Sequence, residues 1–554
     1  MSLKSWSPLK YPIPDTSEKQ EEIELGIENK KVDVLVIGAG ASGAAFSWKL
    51  AKSGASVMCL EQGDWINPLT DYSTSNSDWE IHRQTDFNPN PNFRSLNVDY
   101  PINDTESPIA PLMYNAVGGS TIHWSAHFPR LKPSDFRVKT LDDVADDWPI
   151  SYFELEPYFD LNDKMMGVAG LIGDPAYPPK TQRQTPPVGL GKLGDKITHG
   201  FDKLGWHWWP SDSAINTLKY DGRPGCNNCG PCDLGCSIKA KSSTDVTYWP
   251  KAIKLGARLI TNARVREITV DSYGKAKSAI YYDSEGNIRE QYASMIVLAA
   301  NGIGTPRILL NSTSTKFPEG LANSSGLVGK NLMFHPYSIV TGIFDEDLEG
   351  HKGPTPLNIM SSEFYETEHS RDFVRGYAYQ VVRSSAPLAT ALSGHVPWGK
   401  KHHAAFKKRF NRTITFAVIG EDLPETHNKV TLDPNLSDSY GIPSPKVEYR
   451  LSDNSRKMLD HGVGTATQVM MAAGATEVTH DPLKREAGWH LMGTTKMGTD
   501  TKTSVVNKYG QSHDVDNLFV IDGSIFVTAG AVNPTSTIQA LSLHIADYVI
   551  SKSK

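Results

Sequence analysis

The feature that most restricts the fold lies at residues 32–61. The apolar run VDVLVI has the length of a buried strand, the turn GAGASG follows, and a helix-like stretch, AAFSWKLAKSG, comes next. A second strand, SVMCLEQ, carries Glu61 at its end. Gly38, Gly40 and Gly43 thus form GxGxxG directly between strand and helix. In that setting the first glycine permits a tight turn, the second lets backbone approach a pyrophosphate, and the third lets helix and strand pack closely. The helix N-terminus favours the phosphate charge. Glu61 lies about twenty residues on, placed to accept ribose hydroxyls. A lone GxGxxG can also be a packing turn that binds nothing; strand, helix and Glu61 in register argue against that here. The pattern predicts a doubly wound α/β dinucleotide fold, and an acidic ribose reader suits NAD and FAD equally.

Charge narrows the function classes. Across 554 residues, Lys+Arg is 56 and Asp+Glu is 62, a net charge of −6. A chain devoted to nucleic acid would normally carry a basic excess. Hydrophobic residues at 39% suffice for a sizeable core. No apolar run approaches the roughly 18 residues of a membrane span. The first residues, MSLKSWSPLKYPIPDTSEKQEE, lack a signal-peptide pattern, and 1–29 reads as an irregular leader. The expected location is cytoplasmic, or periplasmic only through co-export with a partner that carries the signal. The basic stretch KKHHAAFKKRFNR at 400–412 is either a solvated face or a dock for an acidic cytochrome or anionic membrane.

Cysteine usage is uneven. Cys59, within SVMCLEQG, reads as a small buried hydrophobe. Cys226, Cys229, Cys232 and Cys236 crowd into GCNNCGPCDLGC. A disulfide framework would spread its cysteines, so this cluster suggests a metal or redox site. The spacing is that of a ferredoxin cluster run. Ser237 stands where proline usually follows, and no second run exists. A three-ligand 3Fe-4S cluster is therefore as consistent as a four-ligand 4Fe-4S one. Zinc fits the tight spacing less well, and a loop of free or paired cysteines is the remaining reading.

Four further segments follow the glycine turn in order: VGGSTIHW at 117–124, VLAANGIGTPR at 297–307, HLMGTTKMG at 490–498 and VIDGSIFVTAGAVNPTST at 520–537. Together they resemble the glucose–methanol–choline (GMC) family of FAD-dependent oxidoreductases. Within it the chain resembles pyranose oxidases and the flavoprotein large subunits of bacterial gluconate and fructose dehydrogenase type. The expected organisation is a discontinuous FAD domain (30–150, 222–335 and 485–554) and an α+β substrate domain with an antiparallel sheet (151–221 and 336–484). The resemblance implies that backbone at Gly118 and Gly119 passes close to the flavin. His123 matches the residue that bonds flavin covalently in pyranose and choline oxidases; its alternative is a non-covalent ring packed beside Trp124. Val265 is implied near the adenine. Asn301 with Gly302 resembles a second glycine turn over the FAD, and Asp522 with Gly523 leads the segment beneath pyrophosphate and flavin.

Alcohol oxidation requires a base for the hydroxyl proton and an acceptor for the hydride. A neutral imidazole, with an ordinary pKa of about 6.5, can take that proton. By the resemblance His490 is the base and Asn533 the partner that orients the alcohol oxygen. His335 and His513 have no such context and read as structural. The expected function is FAD-dependent oxidation of a sugar or polyol CH–OH to a carbonyl. The gluconate and fructose type implies an iron–sulfur exit for electrons, a small export subunit and a cytochrome acceptor. The rivals are an oxidase that reduces oxygen directly, an electron-transfer flavoprotein subunit without substrate chemistry, and an NAD-dependent dehydrogenase.

Overall fold

In the computed structural model, which describes residues 31–72, 77–94, 96–354 and 356–552, Val32–Ile37 (β1) is buried at every position except Asp33. The leader expected at 1–29 lies outside the described residues. A strand buried on both faces suits the middle of a parallel sheet. β1 pairs in parallel with Val57–Leu60 (β2) on one side and with Ile288–Leu298 on the other. Arg258–Ile260 extends the sheet beyond β2, and Leu518–Val520 adds to Ile288–Leu298, both in parallel. Ile288–Leu298 serves two purposes. Its second half lies in this parallel sheet, while its first half pairs antiparallel with Ala276–Tyr282, which in turn pairs with Arg264–Val270.

Helix α1 (Ala41–Lys52) leaves β1 through the glycine turn. Gly38 has φ +106°, a conformation only glycine adopts readily. A Cβ on Gly43 would stand 2.0 Å from the Gly38 carbonyl oxygen, so the third glycine lets helix and strand close up.

The second sheet is antiparallel and six-stranded, in the order Glu477–Asp481, Tyr337–Ile343, Thr413–Gly420, Tyr377–Val382, Pro356–Ser361, Trp209–Pro210. Period-two alternation divides its faces. Val340, Tyr379, Val381, Phe416 and Val418 face one core, together with Met458, Leu459, Val469 and Met470 of helix Asp453–Ala472. Ser452 starts that helix by accepting the Ser455 N–H at 3.0 Å. Burying each of the helix's large apolar side chains contributes about 1.5–3 kcal/mol. The alternate residues Tyr337, Ile339, Gln380, Val382 and Ala417 line a cavity between this sheet and the glycine turn. A small third sheet joins Asn103–Glu106 to Lys429–Ser437 and Pro443–Glu448. Among the described residues, no helix is long and apolar enough to cross a membrane. The basic stretch forms helix His402–Arg409, none of whose residues is buried.

Candidate active site

The cavity has a volume of about 740 Å³, within the range of about 300–1,000 Å³ typical of cofactor and ligand sites. Gly38, Gly40, Glu61, Gly119, His123, Val265, Asn301, His490, Asp522, Gly523 and Asn533 all line it. Gly43 and Gly118 do not.

The lining at the glycine turn has the features that suit a phosphate. Gly40 is the N-cap of α1, no side chain caps the helix, and its first turn holds no acidic residue. The first-turn N–H groups and the positive end of the helix dipole are therefore free for an anion. A Cβ on Gly40 would meet no protein atom closer than the Gly119 Cα at 4.0 Å. The glycine thus keeps open a space that the fold leaves unfilled. Glu61 accepts the Ala39 N–H at 2.7 Å and the Gly63 N–H at 2.9 Å. Burial lifts its carboxyl to about 7, against the downward pull of those bonds. Asn301 and Asp522 are tied together: Asp522 accepts the Asn301 N–H at 3.0 Å and the Thr305 hydroxyl at 2.6 Å. These observations fit a dinucleotide cofactor.

The wall formed by residues 119–127 carries unanswered polar atoms. His123 is 1% exposed, and its Nδ1 lies 3.0 Å from the Asp233 carbonyl. A carbonyl only accepts, so Nδ1 carries the ring hydrogen and Nε2 is a bare lone pair. Neither that Nε2 nor the Trp124 Nε1–H has a protein partner. Burial, with Lys241 and Arg94 nearby, holds His123 down at about 3, so the ring is neutral.

Another part of the lining brings together residues far apart in sequence. His335, which the sequence pattern leaves as structural, is part of the site: its Nδ1 lies 2.7 Å from His490 Nδ1. Its Nε2 lies 2.6 Å from the Gly530 carbonyl. The hydrogens follow from these contacts. The carbonyl must accept, so His335 Nε2 donates and His335 Nδ1 is a lone pair. His490 Nδ1–H then donates to it, which leaves His490 Nε2 as the free acceptor. Burial and the neighbouring His335 hold His490 well below the usual histidine value. Burial also lowers His335, to about 4. The loop that supplies Gly530 is pinned next door. The Tyr365 hydroxyl accepts the Ala531 N–H at 3.1 Å and donates to Asp135 at 2.7 Å, and Arg375 holds Asp135 at 2.6 Å. Gln380 Nε2 donates to Asn533 Oδ1, so Asn533 presents its NH₂ group as a donor. The sequence held no signal for Gln380. His513 sits away from the cavity, 2.9 Å from the Ser504 hydroxyl.

The four clustered cysteines do not form the expected ligand set. Among the described residues, no three His, Cys, Asp or Glu side chains are arranged to hold a metal. After burial, Cys236 and Cys229 each help to raise Cys226, and Cys236 helps to raise Cys229, so these thiols lie near one another without forming a common ligand set. Cys226 Sγ accepts the Asn228 N–H and Cys236 Sγ the Lys241 N–H, each at 3.4 Å. Cys232 is buried in the core while Cys229 is exposed, and no disulfide joins them. Burial pushes Cys226 up to about 11, so a neutral thiol is its resting form. As placed among the described residues, the four thiols do not make the ligand set that the expected iron–sulfur cluster would need.

Comparison with known proteins agrees with this geometry. Two family models described as GMC oxidoreductase match residues 196–337 and 424–542, and a model described as an NAD(P)-binding Rossmann-like domain matches 36–67. The chain is 43% identical over 530 residues to 2-methyl-1,2-propanediol dehydrogenase of Mycolicibacterium austroafricanum, covering 94% of this chain and 95% of that one. The chain belongs to the GMC oxidoreductase family. It is also 32% identical over 558 residues to the fructose dehydrogenase large subunit of Gluconobacter japonicus, covering 95% and 99% of the two chains. The crystal structure of pyridoxine 4-oxidase from Mesorbium loti superposes with a TM-score of 0.61 at 15% identity, covering 94% and 99%, and shows the same fold. As a GMC oxidoreductase the protein is an enzyme acting on alcohol or sugar CH–OH groups, in a family that binds FAD.

Proposed function

We propose that this GMC oxidoreductase oxidises the CH–OH group of a sugar or polyol to a carbonyl, with His490 as the proton acceptor. The observation that carries the reading is the chain Gly530 carbonyl, His335, His490, which leaves one bare imidazole nitrogen on the cavity wall. In this reading His490 Nε2 takes the hydroxyl proton. Asn533, oriented by Gln380, donates to the same oxygen and holds it beside the base. His335 is a positioning residue that keeps His490 in the useful tautomer. The α1 N-terminus, Gly40, Glu61 and Gly119 would hold FAD, which supplies the hydride acceptor when bound.

The names of the two relatives support an acceptor other than oxygen, and the word "subunit" in one of them supports a protein partner for this chain. The test is anaerobic mixing of the flavin-loaded enzyme with diols, polyols and sugars. Bleaching of the visible flavin band is expected, and a band untouched by the whole panel would overturn the reading. Peroxide formed in step with turnover under air would instead make the enzyme an oxidase.

The pair also predicts a pH profile. A base works only while neutral, and burial favours the neutral form. The acid limb of kcat/KM is therefore expected well below the ordinary histidine value of about 6.5. A limb at or above that value would mean that the base is not the buried His490.

A further inference from the structure

The proposed chemistry leaves one cavity histidine unused. His127 is 2% exposed and belongs to the cavity wall. Its Nδ1 lies 3.2 Å from the Ser211 hydroxyl, and that hydroxyl donates its only proton to the Asp212 carbonyl, 3.0 Å away. Ser211 Oγ can then only accept, so His127 Nδ1 carries the ring hydrogen and Nε2 is a bare lone pair. No protein group reaches that Nε2. A buried acceptor without a donor is costly, and in a cavity wall it marks where a ligand's donor belongs. Burial holds the ring at about 3, which keeps it an acceptor at neutral pH.

Its attachment distinguishes it from His123. His123 is fixed by the Asp233 carbonyl, in the loop that carries the four clustered cysteines. His127 is fixed by Ser211, the residue after Trp209–Pro210 at the edge of the antiparallel sheet. In that sheet Trp209 pairs with Met360 and Met360 with Gln380, the side chain that orients Asn533. His127 is thus anchored to the sheet that forms the substrate side of the proposed site.

We infer that His127 Nε2 accepts a hydrogen bond from a second hydroxyl of the substrate, so the site selects a diol or polyol over an alcohol with one hydroxyl. This rests on the assignment of His490 and Asn533 to the hydroxyl that is oxidised. A group with no proton to give, such as an ether or a carboxylate, leaves Nε2 unanswered.

The test uses the FAD-loaded enzyme and two non-oxidisable probes. Pinacol carries two tertiary hydroxyls and tert-butanol one, and their binding is read from the flavin difference spectrum. The wild type is expected to bind pinacol about tenfold more tightly. His127→Phe should abolish that preference while tert-butanol affinity, FAD content and the resting flavin spectrum stay unchanged. His127→Gln, which keeps an acceptor, should restore part of it. In turnover, kcat/KM for 1,2-propanediol should fall about tenfold in His127→Phe relative to propan-1-ol. Equal binding of the two probes by the wild type overturns the inference, and so does a pinacol preference that survives His127→Phe. Loss of FAD or a shifted resting spectrum overturns it as well, by assigning Nε2 to the cofactor. If His127→Phe does not fold, Ser211→Ala, which frees the tautomer, should reduce the pinacol preference; an undiminished preference in that variant counts against the inference. If neither propan-1-ol nor 1,2-propanediol bleaches the wild-type flavin, the oxidation reading fails by itself, and the pinacol titration still decides the hydroxyl contact.

Discussion

Replacing His490 by alanine is expected to slow flavin reduction by substrate about 10²–10⁴-fold, the usual weight of a positioned base, while bound FAD is retained. The ring lines the same cavity as Asn533 and Gln380, its protein contacts are to His335 and Tyr337, and it is no part of the turn at Gly40 that would hold the pyrophosphate. Removing it takes away the proton acceptor and leaves the cofactor cradle whole. The measurement is single-turnover flavin reduction under anaerobic conditions. A near-normal rate in His490→Ala would transfer the role of base to another group.

His335→Phe separates positioning of the base from packing. Phenylalanine keeps a ring in the space but offers no lone pair to the His490 Nδ1–H, 2.7 Å away in the native pair. A partner that fixes a functional imidazole typically matters about 10–100-fold. The expected result is a drop of that size in kcat with KM little changed, together with a displaced acid limb. A merely structural His335 would lower stability and leave the pH profile where it was.

Gly40→Val is expected to yield a folded protein that purifies nearly free of FAD. Gly40 has φ −76°, so an L-residue is not strained there, and no protein atom lies within 4 Å of its Cβ position except at that limit. The valine side chain would instead fill the space before the α1 N-terminus where a pyrophosphate approaches. Gly43→Ala is the control, because its Cβ would overlap the Gly38 carbonyl at 2.0 Å and disturb the strand–helix packing itself. The measurements are flavin absorbance per chain and far-UV circular dichroism. A fully yellow Gly40→Val would show that this turn is not the phosphate site.

The amino-acid sequence by itself determined the strand–turn–helix unit at 32–61 and, through motifs in order, the family. Both depend on neighbours in the chain: a glycine with φ +106° and a helix start three residues later are local constraints that local residues express. The antiparallel sheet was expected only through the family resemblance, because Tyr377–Val382 and Thr413–Gly420 are buried along nearly their whole length and show no polar alternation to mark their faces. Tertiary structure alone decided the rest. His335 and His490 are 155 residues apart, as are, within two residues, Gln380 and Asn533 at 153. No spacing rule links them: His335 and His490 face each other because Met333 and Met492, two residues from each, form an antiparallel bridge, and Gln380 meets Asn533 where the antiparallel sheet faces the loop after Leu518–Val520. The cysteine run shows the converse. Four thiols close in sequence suggested a shared ligand, but two accept backbone N–H groups, one enters the core and one faces solvent. Proximity along a chain fixes where backbone goes, and packing fixes what each side chain touches, so the tautomer of His490 and the bare nitrogen of His127 could be read only from the folded molecule.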